Sequence, residues 1–440
     1  MKNSKIENIY TLEGTVPLAQ ALPVGLQHIL AMFVANITPI MIFANVCGLD
    51  ASLSARLIQN AMIVAGIGTF IQLFPLWRVG SGLPIVMGIS FTFLNTALFI
   101  GTTYSVGTVI GCVIVGGLIE GLLGLFAKYW MKIISPIVAA TVVTAIGFSL
   151  LSVGANSFAG GQGVADFGSI NNWIVGTVTL LSCLLFTVFS KGYLKVLSVL
   201  FGLVIGYIVA LCLGMVNFDV LKNTGIVALP AFLPFKPEFN IGAIISMVVI
   251  YLVSATETIG DSTAVAETGL NRKITDKELS GSLAVDGFVS SVAGLFGCTP
   301  ITSFSQNIGL VAMTRVVNRF TIGTGAVIMI LAGIFPVFGA LLTTVPQAVL
   351  GGCTIMMFGT IVVAGFQLLG KCGYTSRNTT IAALSLSVGL GFTQCNEMFK
   401  NFPKIVQSVF AENCVAVVFV LAVLLNLILP KETEENKEEN

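Results

Sequence analysis

Three acidic residues, Glu257, Asp261 and Asp286, stand inside or against apolar stretches of the chain. Glu257 follows the run 241–255 (IGAIISMVVIYLVSA), and Asp261 lies one helical turn further on. A carboxylate in hydrocarbon costs several kcal/mol unless it faces a cavity, a partner or a substrate. The chain is 55% hydrophobic and only 9% charged, so charge placed within an apolar segment marks a binding or ion-handling site. A second polar cluster, Gln306-Asn307, interrupts another apolar stretch, and neighbouring carboxamides there are expensive unless hydrogen-bonded. A carboxamide offers a donor and an acceptor side by side, matching the N–H/C=O edge of a nucleobase. Phe304 and Phe91 flank polar residues in two such segments, and aromatic faces stack on planar bases.

The elements that must position these residues are membrane helices. Apolar runs recur along all 440 residues at helical span lengths, not as the short alternating segments of a barrel. Fourteen spans are expected, with cores near 20–43, 57–76, 85–99, 106–126, 134–153, 173–189, 196–216, 241–262, 279–297, 303–317, 320–339, 347–369, 379–395 and 412–429. With the N-terminus inside, only Arg56, Lys222, Lys236, Lys400 and Lys404 of the 21 Lys and Arg fall outside. That asymmetry predicts an even count with both termini cytoplasmic. The net charge of +1 argues against nucleic-acid partners. The Cys residues lie singly, with no C-x-x-C pair, so neither a disulfide frame nor a metal site is expected. The polar N-terminal stretch lacks the apolar core of a cleavable leader, and the tail 431–440 (KETEENKEEN) reads as solvated and disordered.

The third and tenth spans are short and opened by Gly and Pro: Gly80-Ser-Gly-Leu-Pro84-Ile85 and Gly297-Cys-Thr-Pro300-Ile301. Aligning the prolines sets Ser90 opposite Gln306 and Phe91 opposite Asn307. Spans three and ten differ by seven, and a repeat of seven spans must invert its second copy across the bilayer. Each broken segment should begin extended and continue as a half-helix whose N-terminal amides point at the membrane centre. His28, the only His, is expected to bond across helices and hold the eighth or tenth span in register. Asp286 is expected to support its neighbours, because Gly287 suits close helix packing. Glu120 receives no role, and the Gly-rich stretch 154–168 lacks the G-K-[ST] of a phosphate loop.

The string Gln306-Asn307-Ile308-Gly309 with Thr314 resembles the signature of the nucleobase–ascorbate transporter (nucleobase:cation symporter) family. Gln27-His28, Gly80-Ser-Gly-Leu, Ser90-Phe91, Glu257-Thr-Ile-Gly-Asp261 and Asp286-Gly287 fit the same pattern, and the resemblance covers about residues 18–428. It implies an all-α, fourteen-segment, 7+7 inverted-repeat fold. Residues 18–126 and 241–339 would form a core domain, and 127–240 and 340–429 a gate domain, with cytoplasmic tails at 1–17 and 430–440. It also implies elevator-like motion of core against gate within a homodimer in the plasma membrane of a bacterium. Gln at 306 and Asp at 261 resemble the xanthine and uric acid carriers rather than the uracil carriers, which have Glu and His there. The implied substrate contacts are Glu257, Gln306, Phe91, Phe304, Ser90 and Ser305. Asp261, His28, Asp286, Asn307 and Thr314 would serve proton coupling or structural support. No cofactor or metal is expected beyond a coupling cation, most simply H+.

Two other classes compete with purine import by symport, apart from a uracil or broad-specificity permease of the same family. An anion exchanger of similar fold would need a basic group where the third and tenth spans meet, and this chain offers Gln306 and Glu257 instead. An enzyme would need a nucleophile–base pair or a metal cluster, and a lone His without ligating neighbours supplies neither.

Overall fold

The computed structural model describes residues 7–130, 135–222, 225, 227–403, 406–411 and 413–430. Lys2, Lys5, Lys132, Lys404 and the tail from Lys431 onward, all used in the charge pattern, lie outside these residues. The first half of the chain runs α1 (Leu18–Val46), α2 (Ala51–Leu73), β1 (Met87–Ile89), α3 (Leu94–Thr103), α4 (Val106–Leu125), α5 (Pro136–Phe158), α6 (Ile170–Phe189) and α7 (Ser198–Cys212). The second half runs α8 (Ile241–Ala264), α9 (Asp276–Leu295), β2 (Ile301–Ser303), α10 (Ser305–Thr314), α11 (Arg319–Ile334), α12 (Pro336–Thr343), α13 (Gln347–Cys372), α14 (Ser376–Gln394) and α15 (Cys414–Ile428). Among the described residues, α1, α2, α4, α5, α6, α8 and α13 are long and apolar enough to cross a membrane unaided. α11 and α12 meet that test only as a pair bent by 77°, and α7, α15 and the α3 region are shorter apolar helices.

Local sequence sets the helix starts. The Asn240 side chain accepts the N–H of Ala243 to begin α8, and Thr275 and Glu278 form a reciprocal capping box at α9. Arg272 pairs with Glu278 at 2.5 Å beside that box. α6 leaves Ile170, Trp173, Leu185 and Phe189 more than half exposed, a surface suited to hydrocarbon rather than water.

Helix packing recurs in matched pairs. α4 packs on α9 as α11 packs on α2, and α8 packs on α4 as α1 packs on α11. α6 lies with α7 as α14 lies with α15, while α5 and α13 pack directly on one another. At the centre, β1 and β2 pair antiparallel with Met87 opposite Ser303, Gly88 opposite Thr302 and Ile89 opposite Ile301. The ladder is prolonged by Ser90 N–H donating to Pro300 O (3.1 Å) and Phe304 N–H donating to Val86 O (2.9 Å).

This register corrects the equivalence taken from the prolines. Matching strand to strand sets Ser90 opposite Phe304 and Phe91 opposite Ser305, two residues from the proline alignment. Pro300 abuts its strand, whereas Pro84 stands three residues ahead of its own, so the two prolines open different turns.

Gly88 marks the closest approach at the crossing. A Cβ there would lie 2.6 Å from Met32 Cε, 2.7 Å from Phe304 Cδ2 and 2.9 Å from Asn36 Oδ1. Gly88→Ala is therefore expected to cost roughly 1–3 kcal/mol through overpacking. A lower melting temperature of the detergent-purified protein would register that cost, and an unchanged melt would show that the crossing has room.

Candidate functional site

The two strands deliver two short helices to one cavity. Ser90, Phe91 and Thr92 at the end of β1, and Ser303, Phe304, Ser305 and Gln306 at the end of β2, all line a space of about 930 Å³. α8 closes the same wall with Glu257, Gly260 and Asp261, while α5 and α13 face it with apolar residues such as Ala140, Val143, Ile361 and Leu368. The cavity runs on to Glu267, Lys371 and Arg377 at its mouth. It thus has one polar wall and one apolar wall.

Each cavity carboxylate is tied to a different short segment. Thr92 Oγ1 donates to Glu257 Oε2 at 2.6 Å, and Ser305 Oγ donates to Asp261 Oδ2 at 2.7 Å. Both acids are half-buried, and Gln306 is exposed to the cavity. Phe91 and Phe304 are nearly buried, with the Phe91 ring edge-on to Phe358 at 5.1 Å. Such rings give a flat ligand apolar faces beside the polar groups.

Behind this wall lie residues that hold it. Asp286 is fully buried and accepts from Thr258 Oγ1 (2.5 Å), Ser303 N–H (3.2 Å) and Ser303 Oγ (3.2 Å). It thereby fastens β2 to α8 and α9. Asn307 Nδ2 donates to His28 O at 3.1 Å and lies 3.4 Å from His28 Nδ1, joining α10 to α1. Thr314 lies away from the cavity, where its hydroxyl donates to Leu310 O (2.8 Å) and accepts Val316 N–H (3.3 Å) at the end of α10.

Thr92 was not among the expected contacts, although it directly follows the Ser90-Phe91 pair in the broken segment. Nor were Asn36 and Thr69, whose side chains accept Ile89 N–H (2.7 Å) and Met87 N–H (3.0 Å). Ser290 Oγ takes Ile301 N–H at 3.1 Å. Hydroxyls within apolar helices give little signal, because most bond their own helix's carbonyls. Asn36 is the exception that could have been read, since a buried carboxamide needs a partner.

A second cavity of about 750 Å³ is lined by Asn45, Asn95, Ser149, Asn156, Gln394 and others. Asn95 Nδ2 donates to Ser149 O (2.9 Å) and Asn413 Nδ2 to Thr96 Oγ1 (2.8 Å), tying α3 to α5 and to the start of α15.

Together, a helical bundle apolar enough to cross a membrane several times and a polar cleft at a break in its helices define a multi-pass membrane protein with a ligand-sized site. The chain belongs to the Permease family (Xan_ur_permease), whose sequence profile matches residues 19–398. It is 35% identical over 440 residues to the xanthine permease XanQ of Escherichia coli (strain K12), covering 96% of this chain and 94% of that relative. It is 33% identical over 384 residues to the uric acid permease PucK of Bacillus subtilis (strain 168), covering 87% and 89%. Its fold is like the transmembrane domain of the cyanobacterial bicarbonate transporter BicA, with TM-score 0.61 at 15% identity over 95% of this chain and 99% of that one.

Removing the acceptor behind β2 should be costly. Asp286→Ala leaves the Ser303 N–H and the Thr258 hydroxyl unpaired, at an expected cost on the order of 2–3 kcal/mol. Thermal melting of the purified variant should show this loss even without ligand, and a melt like that of the native protein would remove Asp286 from the supporting framework.

Proposed function

We propose that the protein imports a purine base, xanthine or uric acid, across the plasma membrane together with a proton. The observation that carries the reading is the polar wall of the cavity. Glu257 can accept ring N–H groups in charge-assisted bonds, about twice as strong as neutral ones. Gln306 can donate and accept along the adjacent edge, and Phe91 and Phe304 offer faces to the ring. The names of the relatives XanQ and PucK point to the same two substrates. Against anion exchange, the cations lining the cavity, Lys371 and Arg377, belong to the end of α13 and the start of α14, not to the strand pair.

The matched helix packing supports a 7+7 inverted repeat of fourteen spans, with α11 and α12 counted as one bent span. In this reading α1–α4 and α8–α12 form the core, α5–α7 and α13–α15 the gate, and both termini are cytoplasmic. An apolar gate wall makes no fixed hydrogen bond to a ligand carried by the core, so the core can slide past it, as an elevator mechanism requires. The cavity that holds Glu257 and Gln306 reaches Lys371 and Arg377, on the side assigned to the cytoplasm, which fits a state open toward that side. A homodimer would give the gate a fixed partner to move against.

Topology has a direct check. In a background freed of native cysteines, Cys placed at Lys195 and Arg272 should label only from the cytoplasm. Cys at Asp166 and Lys236 should label only from outside, and one reversed label breaks the span count.

Specificity is tested by uptake of labelled xanthine, uric acid, guanine, hypoxanthine and uracil in cells lacking their own permeases, with and without a protonophore. Glu257→Gln should abolish uptake while leaving membrane insertion intact. Gln306→Glu replaces a donor with a second carboxylate facing purine carbonyls, so xanthine uptake should fall by roughly a hundredfold or more, as when a hydrogen-bonding site loses a partner. Uracil preference in the native protein, or an unchanged profile in Gln306→Glu, would sink the purine assignment.

A further inference from the structure

Glu120 in α4 is 1% exposed, and neither of its carboxyl oxygens has a hydrogen-bond partner among the described residues. Its surroundings follow from the glycines around it. A Cβ at Gly116 would strike the Tyr251 ring, and one at Gly117 would strike Gly287 O and Ser291. One at Gly121 would strike Phe288, and one at Gly124 would strike Leu283 and Ala284. α4 therefore lies almost backbone to backbone on α9 and against α8, and Glu120 sits in that packed crevice.

The titratable groups facing it are Tyr251 from α8 and Asp286 from α9. Tyr251 donates its hydroxyl to Val113 O at 3.1 Å. Asp286 already holds the available donors, Thr258 and both groups of Ser303. The crevice thus contains two acids and the hydrogen bonds to support one negative charge. A second carboxylate there would be desolvated, unpaired and repelled by the first. Asp286 also leads to the substrate wall, because Thr258 follows Glu257 by one residue and Ser303 lines the cavity.

We infer that Glu120 is a proton-holding acid of the coupled transport step, placed behind Asp286 and out of reach of the substrate. In this conformation Glu120, which has no donor among the described residues, holds the proton, and the donors able to support a charge stand on Asp286. The step is formation or breakage of one O–H bond on the Glu120 carboxyl, with water supplying and taking up the proton. Release requires α4 to part from α8 and α9 far enough to admit a donor, which ties deprotonation to a change in packing. The inference rests on the proton-symport reading above, and on a site that reading does not use.

The test uses the full-length protein in proteoliposomes with labelled xanthine. Native accumulation under an imposed proton gradient should collapse with a protonophore; accumulation that survives it sinks the symport reading and this inference with it. Glu120→Gln should keep xanthine exchange at equal concentrations near the native rate, lose accumulation, and lose the pH dependence of exchange. Glu120→Asp should restore accumulation with a displaced pH profile. Accumulation by Glu120→Gln with the native pH profile, or loss of exchange together with accumulation, overturns the role of Glu120 alone. Should Glu120→Gln fail to fold, native protein in membranes can be treated with a hydrophobic carbodiimide, which reacts with protonated carboxyls in apolar surroundings. An adduct on Glu120, mapped by mass spectrometry, supports the inference, and adducts on other carboxyls with none on Glu120 overturn it.

Discussion

A peptide N–H without an acceptor is scarcely tolerable where water is absent, and a two-stranded sheet has two open edges. β1 and β2 solve this with side chains from the surrounding helices. Met87 and Ile89 donate outward to Thr69 of α2 and Asn36 of α1, while Ile301 and Ser303 donate outward to Ser290 and Asp286 of α9. Every one of these acceptors is nearly or fully buried. The strand pair cannot leave α1, α2 and α9 without stranding its own amides, which binds the strands to those helices. Thr69, Asn36, Ser290 and Asp286 are thereby explained as sheet-edge acceptors inside apolar helices.

That constraint also arranges the cavity. Because the strands run antiparallel about Gly88 and Thr302, the segments that follow them enter from opposite directions and begin side by side. Ser90–Thr92 and Phe304–Gln306 come to share one wall although more than two hundred positions separate them in sequence. The facing wall of α5 and α13 contributes mostly methyl-bearing side chains. Groups able to grip a polar ligand are concentrated on the segments after the strand pair and on α8, and the smooth surface on α5 and α13.

How much of this was legible in the sequence depended on the cost of each residue in its place. Glu257 and Asp261 could be read because a carboxylate in an apolar run has few bland explanations, and Gln306-Asn307 because neighbouring carboxamides are nearly as conspicuous. Gly and Pro at 80–84 and 297–300 announced the breaks, and the extended stretches stand beside them. The strand register was not legible, since proline marks a break without fixing how far beyond it pairing starts. Pro84 and Pro300 stand at unequal distances from their strands, which moved the inferred equivalence by two residues. Thr92 and Thr69 escaped for a different reason. A hydroxyl can satisfy itself on its own helix, so its sequence position does not reveal that it serves another element.

The acids at the cavity wall and the sheet edge differ in how many donors each receives, and that difference separates them. Asp286 receives a backbone amide and two hydroxyls, the fullest set of donors among the three acids at the wall and the sheet edge. Glu257 and Asp261 each receive one hydroxyl, and the two donors come from opposite segments, Thr92 after β1 and Ser305 after β2. Their remaining lone pairs are left for a ligand at the cavity wall, where one strong acceptor is most useful. α8 is consequently the element on which both broken segments converge. A ligand that draws on Glu257 competes with Thr92, and any change at Asp261 is felt by Ser305 at the first residue of α10. Under the proposed role of Glu257, binding would therefore be linked to the positions of the two short helices through the Thr92–Glu257 and Ser305–Asp261 hydrogen bonds.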